Sequence, residues 1–174
     1  VGWGRIGQAV AARAEPFGMH VAYAARPHRR GGPSGPPSPS GPPVAEPMPL
    51  DRLLSTSDVV SMHVPLTDET RHLIDQPALA RMKRGAYLIN TSRGPVVDEA
   101  ALVWALKNRL IAGAALDVYE AEPRIHPDLF DLENVLLAPH LGSATTDART
   151  AMADLAVRNV IAVLSGAPPL TPVP

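Results

Sequence analysis

Three side chains of different chemistry lie far apart in this chain: Arg93, Glu122 and His140. Their segments read INTSRGPVVDE at 89–99, AGAALDVYEAEP at 112–123 and VLLAPHLGSAT at 135–145. A planar guanidinium can grip a carboxylate with two hydrogen bonds, and an imidazole can transfer a proton near neutral pH. A carboxylate beside an imidazole favours its charged form. The three residue types together would supply a substrate anchor, a general acid/base and a group that tunes that acid.

The chain opens with a glycine loop, Gly2-Trp3-Gly4-Arg5-Ile6-Gly7. In a G-x-G-x-x-G loop the first glycine makes a tight turn and the second lets a pyrophosphate approach the backbone. The third glycine lets the following helix pack on a strand, with the helix N-terminus towards the phosphates. A glycine-rich turn without a ligand is the alternative. A helical pattern and then a strand pattern follow this loop, so we expect Gly2, Gly4 and Gly7 to cradle a dinucleotide.

Composition limits the class of protein. The length of 174 residues suits one domain spanning 1–174, and the net charge of −1 predicts no nucleic-acid partner. The absence of cysteine excludes disulfides and thiolate metal sites, and we expect no metal and a cytoplasmic location. No apolar run approaches the roughly 18 residues that span a bilayer, so no membrane partner is expected.

Alternating helix and strand patterns predict an α/β fold, a Rossmann-type doubly wound parallel sheet. Apolar stripes of Ile6, Val10 and Ala14 and of Leu102, Leu106 and Leu110 mark two of the helices. A buried strand normally precedes a dinucleotide loop, and the sequence starts one residue before it, so we expect a truncated first strand. The predicted helices span 5–17, 98–110 and about 145–165, the last capped by Thr145 or Thr146, and the predicted strands span 20–24, 58–64, 86–91, 113–118 and 135–138.

One segment does not follow this alternation of helix and strand patterns. Residues 27–49 hold nine of the chain's 20 prolines, with much of the rest glycine and serine. Proline lacks the backbone donor and fixes φ, so no regular helix or central strand is expected there. We interpret the segment as an irregular Pro/Gly/Ser-rich loop. A docking site for a proline-binding partner and a local reading-frame error remain alternatives.

The end of the second predicted strand bears on which dinucleotide binds. An NAD site places a carboxylate there to hold the ribose 2′-hydroxyl. This chain has Ala24-Ala25 instead, and then Arg26, Arg29 and Arg30. An arginine at this place can pair with a 2′-phosphate, so NADP(H) is the predicted preference, with NAD(H) also possible. The alternative is that these arginines are solvated loop charges.

The motifs GWGRIGQAVA, SDVVSMHVPLTDETRHLI, INTSRGPVVDEAAL, IAGAALDVYEAEP and NVLLAPHLGSAT resemble, in order and spacing, the nucleotide-binding domain of the D-isomer-specific 2-hydroxyacid dehydrogenases. The Ala25-Arg26 pair and the HPDLFDLENV connection are most similar to the glyoxylate/hydroxypyruvate reductases. The resemblance implies reduction of a small 2-oxo acid to its D-2-hydroxy acid, a homodimer, and a substrate domain that is absent from this chain. A phosphoglycerate-type NAD-dependent dehydrogenase and a dinucleotide-sensing corepressor remain alternatives.

The resemblance also implies a role for each motif residue. Arg93 would bind the substrate carboxylate and 2-oxo oxygen, His140 would deliver the proton, and Glu122 would keep the imidazole charged. Asp117 would hold the nicotinamide carboxamide. The other implied cofactor contacts are Arg5 and Ile6 at the pyrophosphate, Val64 and Pro65 at the adenosine, Thr70 at a phosphate, Thr91 and Ser92 at the nicotinamide ribose, and Arg93, His140 and Gly142 nearby.

Several other polar residues have less specific interpretations. Glu120 competes with Glu122 for the carboxylate role, although Glu122 matches the Glu-Pro pair of the family. His63, on a predicted buried strand, is expected to be a core histidine. His72 has no partner in the pattern and is expected at the surface.

Overall fold

The computed structural model describes residues 1–25 and 45–172. They form two compact units, Val1–Pro139 and His140–Pro174. Within the described ranges three short 3₁₀ turns accompany the helices, at Glu15–Phe17, Gly94–Val96 and Pro127–Leu129. The strands are β1 (Val21–Tyr23), β2 (Ala45–Pro47), β3 (Val59–Met62), β4 (Tyr87–Asn90), β5 (Gly113–Leu116) and β6 (Val135–Leu137), and the helices are α1 (Arg5–Ala14), α2 (Leu50–Thr56), α3 (Gln76–Arg81), α4 (Glu99–Lys107) and α5 (Thr146–Leu164).

In the part of the chain that the structure describes, every pair of neighbouring strands is parallel. Strands β1 and β2 form one sheet, and β3-β4-β5-β6 form another in that order. The first two residues join the sheets: Gly2 N donates to Ala24 O (2.8 Å), and His63 N donates to Val1 O (2.7 Å). Val1 N also donates to Ser61 O (2.6 Å). Val1 and Gly2 thus occupy the central strand position, from which strand order runs outwards in both directions. This arrangement confirms the doubly wound parallel sheet.

Helix α4 supplies much of the core of the first unit. Leu102 and Leu106 are buried, as their spacing predicts. Asp98 caps the helix by accepting a hydrogen bond from Ala101 N (2.9 Å). The helix ends at Lys107, three residues before the predicted end, because Arg109 adopts a left-handed φ of 52° that turns the chain. Leu110 therefore lies beyond the helix, although it still packs on the core.

Helix α1 buries a different face from the one its apolar stripe indicates. Ile6 and Val10 are 68% and 41% exposed, whereas Gly7 and Ala11 are buried. The small residues face inwards because the helix lies very close to the glycine loop: a Cβ at Gly7 would lie 2.4 Å from Gly2 O. The predicted helix 5–17 is α-helical only to Ala14 and then continues as a 3₁₀ turn.

The expectation of an irregular segment up to residue 49 is wrong for Ala45–Pro47, which form β2. Proline is tolerated there because β2 is an edge strand in the described sheet, and one residue later Met48 N donates to Tyr23 O (2.9 Å). Residues 26–44, including Arg26, lie outside the described part of the chain. Helices α2 and α3 were not predicted at all.

The second unit is dominated by α5, a helix of 19 residues. Thr145, one of the two predicted caps, accepts a hydrogen bond from Ala148 N (3.2 Å). Past the helix, the Asn159 side chain donates to Thr171 Oγ1 (3.0 Å) and accepts from Thr171 N (3.1 Å), which fixes the chain after Gly166. Among the helices that the structure describes, none is both long and apolar enough to cross a membrane.

Candidate functional site

The three loop glycines have three different surroundings. Gly2 has a left-handed φ of 95°, and a Cβ there would lie 2.6 Å from His63 O. Gly7 packs against the Gly2 carbonyl. Around Gly4, in contrast, no described atom beyond its chain neighbours lies within 4 Å of an ideal Cβ. Two glycines therefore shape the loop, and the third leaves its backbone open to a ligand.

Gly4 is also the N-cap residue of α1, and the helix has no acidic residue in its first turn. The first N–H groups of a helix have no partner within the helix and carry the positive end of its dipole. An open backbone at this point fits a pyrophosphate. The loop residues present therefore fit a dinucleotide, as the sequence predicts. Arg5 and Ile6, predicted to cover the pyrophosphate, are both exposed in this first turn.

A cavity of about 910 Å³ lies beside this loop, within the first unit. Its size suits a small organic ligand or the larger part of a nucleotide. It opens at the carboxyl ends of parallel strands around the central strand position, where ligands bind in doubly wound sheets. The predicted cofactor residues Gly2, Gly4, Val64, Pro65 and Thr70 all lie in its wall.

The end of β1 contributes Ala24 and Ala25 to the cavity wall. This strand end therefore presents no carboxylate for a ribose 2′-hydroxyl. The Trp3 ring, also in the wall, stacks on Tyr23 with centroids 4.3 Å apart and 13° between the planes. The stack holds an indole beside the glycine loop, where it can report optically on a ligand.

His63 lies in the wall rather than in the core where it was expected. Its Nε2 is 2.9 Å from Ser61 Oγ. Burial lowers the pKa of His63 to about 4. The imidazole is consequently neutral at physiological pH and brings no charge to the cavity.

Thr70 is buried, and its hydroxyl is engaged within its own turn. It donates to Pro65 O (2.6 Å) and accepts from Thr67 N (2.8 Å). These bonds hold the turn that carries Val64 and Pro65 into the wall. The predicted phosphate contact stays a prediction, and it would require the hydroxyl proton to turn away from Pro65.

The loop that carries Arg93 is held by Asn90, a fully buried residue at the end of β4. Asn90 Oδ1 accepts from Ser92 N (3.1 Å) and Ser92 Oγ (2.9 Å), and Asn90 Nδ2 donates to Arg93 O (3.0 Å). Arg93 and Thr91 are exposed, and Arg93 Nη1 donates to Ser92 O (2.7 Å). Sequence reasoning missed Asn90, although a polar residue that ends a buried strand is a usable signal.

The Glu122 turn packs against the Arg93 loop. Glu122 Oε1 accepts from Tyr119 N (2.9 Å), which closes the turn. A Cβ at Gly94 would lie 1.8 Å from Tyr119 O, so the two backbones are in direct contact. Asp117 is buried, and its N–H donates to Asn90 O (3.0 Å). The structure thus brings together the segments of Arg93, Asp117 and Glu122 at the ends of β4 and β5.

Glu120 points to different partners from Glu122. Glu120 Oε1 lies 2.6 Å from His72 Nε2, and its Oε2 accepts from Glu99 N (3.3 Å) at the start of α4. The buried Glu99 carboxylate accepts from Glu120 N in return. The sequence pattern shows no partner for His72, because its partner Glu120 lies 48 positions away. Among the described residues no group of three His, Asp or Glu side chains could hold a metal ion.

Tyr119 links the end of β5 to the end of β6. Its buried hydroxyl donates to Ala138 O (2.7 Å) and lies 3.3 Å from Leu116 O. Ala138 N in turn donates to Leu116 O (2.8 Å). Burial raises the pKa of the Tyr119 hydroxyl above its ordinary value, so it remains a donor at neutral pH.

His140 and Gly142 belong to the second unit. His140 is exposed and has a φ of 56°, in the left-handed region that non-glycine residues rarely adopt. Such a conformation persists only where the surroundings hold it, and it is common at functional sites.

A model of the D-isomer-specific 2-hydroxyacid dehydrogenase NAD-binding domain matches residues 1–142, which is most of the chain. The chain belongs to this family. The dehydrogenases of the family are oxidoreductases that act on small 2-hydroxy or 2-oxo acids. The predicted resemblance is confirmed, and with it the nucleotide-binding fold.

Similar family members include two archaeal proteins. A glyoxylate reductase of Thermococcus onnurineus is 52% identical over 171 residues, covering 98% of this chain and 49% of its own length. One from Thermofilum pendens is 53% identical, with coverage of 97% and 48%. A solved NADPH-dependent glyoxylate/hydroxypyruvate reductase from Sinorhizobium meliloti, in complex with NADP and malonate, superposes with a TM-score of 0.87. It is 40% identical, with coverage of 99% and 51%. The chain thus spans about half the length of these relatives.

Proposed function

We propose that the gene product containing this chain reduces glyoxylate or hydroxypyruvate to the D-2-hydroxy acid. The observation that carries the proposal is the packing of the Arg93 loop on the Glu122 turn, with Gly94 against Tyr119 O. A cation for a carboxylate substrate (Arg93) and a carboxylate for a proton-transfer group (Glu122) therefore lie together at the ends of β4 and β5, in the sheet whose first strand, β3, leads into the wall of the dinucleotide cavity. The names of the archaeal and Sinorhizobium relatives support this substrate class.

In this proposal each side chain has one task. Arg93 binds the substrate carboxylate and 2-oxo oxygen through its planar fork. His140 delivers a proton to the carbonyl oxygen, and Glu122 keeps the imidazole charged in the reducing direction. Asp117 orients the nicotinamide amide, and the glycine cradle holds the pyrophosphate. The dinucleotide supplies the hydride.

We further propose that NADP(H) is preferred. The end of β1 offers Ala24 and Ala25 to the cavity, so nothing on that strand end repels a 2′-phosphate. Arg26 follows directly in the sequence. The Sinorhizobium relative, which was solved with NADP, supports the same assignment.

A substrate panel tests the reaction. Purified gene product with NADPH should oxidise the cofactor with glyoxylate and hydroxypyruvate far faster than with 3-phosphohydroxypyruvate. A preference for the phosphorylated acid with NADH would identify a phosphoglycerate-type dehydrogenase instead. Tight NADPH binding without turnover of any acid would identify a dinucleotide sensor.

We also propose that the gene product forms a homodimer through this domain. Trp104 on α4 is 40% exposed, which is unusual for tryptophan and suits a subunit surface. Light scattering should give twice the monomer mass, and Trp104→Glu should lower that mass. A monomer in the wild type would contradict the proposal.

A further inference from the structure

Tyr119 lies where three segments of the proposed site meet. Its N–H donates to Glu122 Oε1 (2.9 Å), and its carbonyl packs against Gly94, next to Arg93. Its hydroxyl donates to Ala138 O (2.7 Å), two residues before His140. Each segment carries one residue of the proposed triad. The sequence motifs assign no role to this tyrosine.

We propose that the Tyr119 hydroxyl is a positioning group, which fixes the backbone leading into His140 relative to the segments of Arg93 and Glu122. This inference rests on the proposed function, in which His140 is the proton donor. Tyr119 acts through Ala138 and does not itself touch the reacting atoms.

Ala138 is held on both sides of its Cα. Its N–H donates to Leu116 O, and its carbonyl accepts from the Tyr119 hydroxyl, so both adjoining peptide planes are anchored to the β5 side. Ala138 lies just past the end of β6, and its N–H still bonds to the last residue of β5. The Tyr119 hydroxyl extends this restraint from the Ala138 N–H to the Ala138 carbonyl.

Only Pro139 separates Ala138 from His140. The ring fixes φ of Pro139 near −65°. Between the Ala138 carbonyl and His140 there is consequently one rotatable backbone angle fewer than usual. His140 then adopts its left-handed φ of 56°. Such a left-handed conformation persists only where the neighbouring backbone is restrained.

The hydroxyl can be removed with little other change. Phenylalanine keeps the buried ring, and both backbone contacts of residue 119 involve main-chain atoms that the substitution leaves in place. The substitution deletes the bond to Ala138 O and leaves that carbonyl without its donor. Tyr119→Phe therefore separates the restraint on the His140 segment from the packing of Arg93 and Glu122.

The test compares Tyr119→Phe with Tyr87→Phe, a control whose ring is 53% exposed on β4. Amide hydrogen exchange is followed in peptides covering 133–142 and, as an internal reference, 86–90. Steady-state reduction of glyoxylate is measured in water and in deuterium oxide.

For Tyr119→Phe we expect faster exchange in 133–142 only. We also expect kcat to fall about 3- to 10-fold with an increased solvent isotope effect, because the acid is misplaced. KM values for glyoxylate and NADPH should stay within about twofold of the wild-type values, since the substitution changes neither Arg93 nor the glycine loop.

Unchanged exchange in 133–142 would overturn the inference, whether or not the protein turns over an acid. Faster exchange with unchanged kcat and isotope effect would also overturn it, because the hydroxyl would then be merely structural. Failure of the proposed function is recognised separately, from the wild type alone, as the absence of turnover with every 2-oxo acid.

Discussion

Gly94 and Tyr119 are in backbone contact: a Cβ at Gly94 would lie 1.8 Å from Tyr119 O and 2.5 Å from Glu120 N. No side-chain movement can relieve such a clash, because the opposing atoms are main-chain atoms. The absence of a Cβ at Gly94 is therefore what allows the Arg93 loop to lie on the Glu122 turn.

Gly94→Ala should force these two segments apart. We expect the free energy of unfolding to fall by about 2–3 kcal/mol, as for other overpacked sites, and glyoxylate reduction to be largely lost. Urea denaturation and a steady-state assay measure the two effects. Gly85→Ala is the matched control, because its Cβ would meet no described atom within 4 Å, and a change within about 0.5 kcal/mol is expected. Equal behaviour of the two variants would show that the contact does not hold the site.

The glycine loop offers a second matched pair. Gly4→Ala should leave stability nearly unchanged, since the Cβ enters open space and the φ of −80° suits alanine. It should weaken NADPH binding about 10- to 100-fold, because the methyl group displaces the pyrophosphate from charge-assisted backbone bonds. Gly7→Ala should instead destabilise the fold by about 2 kcal/mol, since its Cβ would meet Gly2 O.

Binding can be followed by the fluorescence of Trp3 in a Trp104→Phe background, since the chain has two tryptophans. Unaltered NADPH affinity in Gly4→Ala would mean that the open backbone is not a phosphate cradle.

Glu122 and Glu120 have different hydrogen-bond partners, and the pH dependence of kcat should show that they have different roles. Glu122→Gln should move the high-pH limb of kcat for reduction to lower pH, because in the proposed function the Glu122 carboxylate is the charge that keeps the proton donor protonated. Glu120→Gln should leave that limb in place and lower stability, because it weakens the link from His72 to the start of α4. A shift of the limb in Glu120→Gln alone would transfer the role to Glu120.

Cofactor choice depends on the end of β1. With Ala25 in the wall and Arg26 next in the sequence, kcat/KM should favour NADPH over NADH by about 5- to 30-fold, which corresponds to about 1–2 kcal/mol for one charge-assisted contact with the 2′-phosphate. Ala25→Asp with Arg26→Pro should reverse the order, since a carboxylate binds the 2′-hydroxyl and repels the phosphate. Arg13→Ala, which removes an arginine from the exposed face of α1, should not change the order. Equal values for the two cofactors in the wild type would contradict the assignment.

The sequence predicts local features well. The start of α4 next to Asp98, the burial of Leu102 and Leu106, and the capping of α5 by Thr145 or Thr146 all depend on residues within one or two turns. Helix α3 carries a similar local signal that went unused, since Asp75 caps it and Pro77 follows. The exposed stripe of α1 was misjudged because tertiary contact, through Gly7, decides which face is buried.

In the functional site, too, the sequence predicts features that depend on residue type and misses contacts between distant residues. Motifs point to Arg93, Glu122 and the glycine loop, because their chemistry is visible in residue type. Asn90, the His72–Glu120 pair and the Tyr119 hydroxyl escape notice, since their role lies in contacts made after folding. The His72–Glu120 contact spans 48 positions, and the Tyr119–Ala138 bond spans 19. Periodicity within a single element carries no information on such pairs.

If this chain forms the cofactor half of a 2-oxo acid reductase with His140 as the acid, loss of the imidazole must stop proton transfer and spare cofactor binding. The most direct measurement is NADPH oxidation with glyoxylate by the gene product and its His140→Ala variant, alongside NADPH affinity. We expect steady turnover in the wild type, a fall in kcat of about 10²- to 10⁴-fold in His140→Ala, and nearly unchanged NADPH affinity. Comparable turnover in the two proteins, or a loss confined to NADPH affinity, would contradict the account.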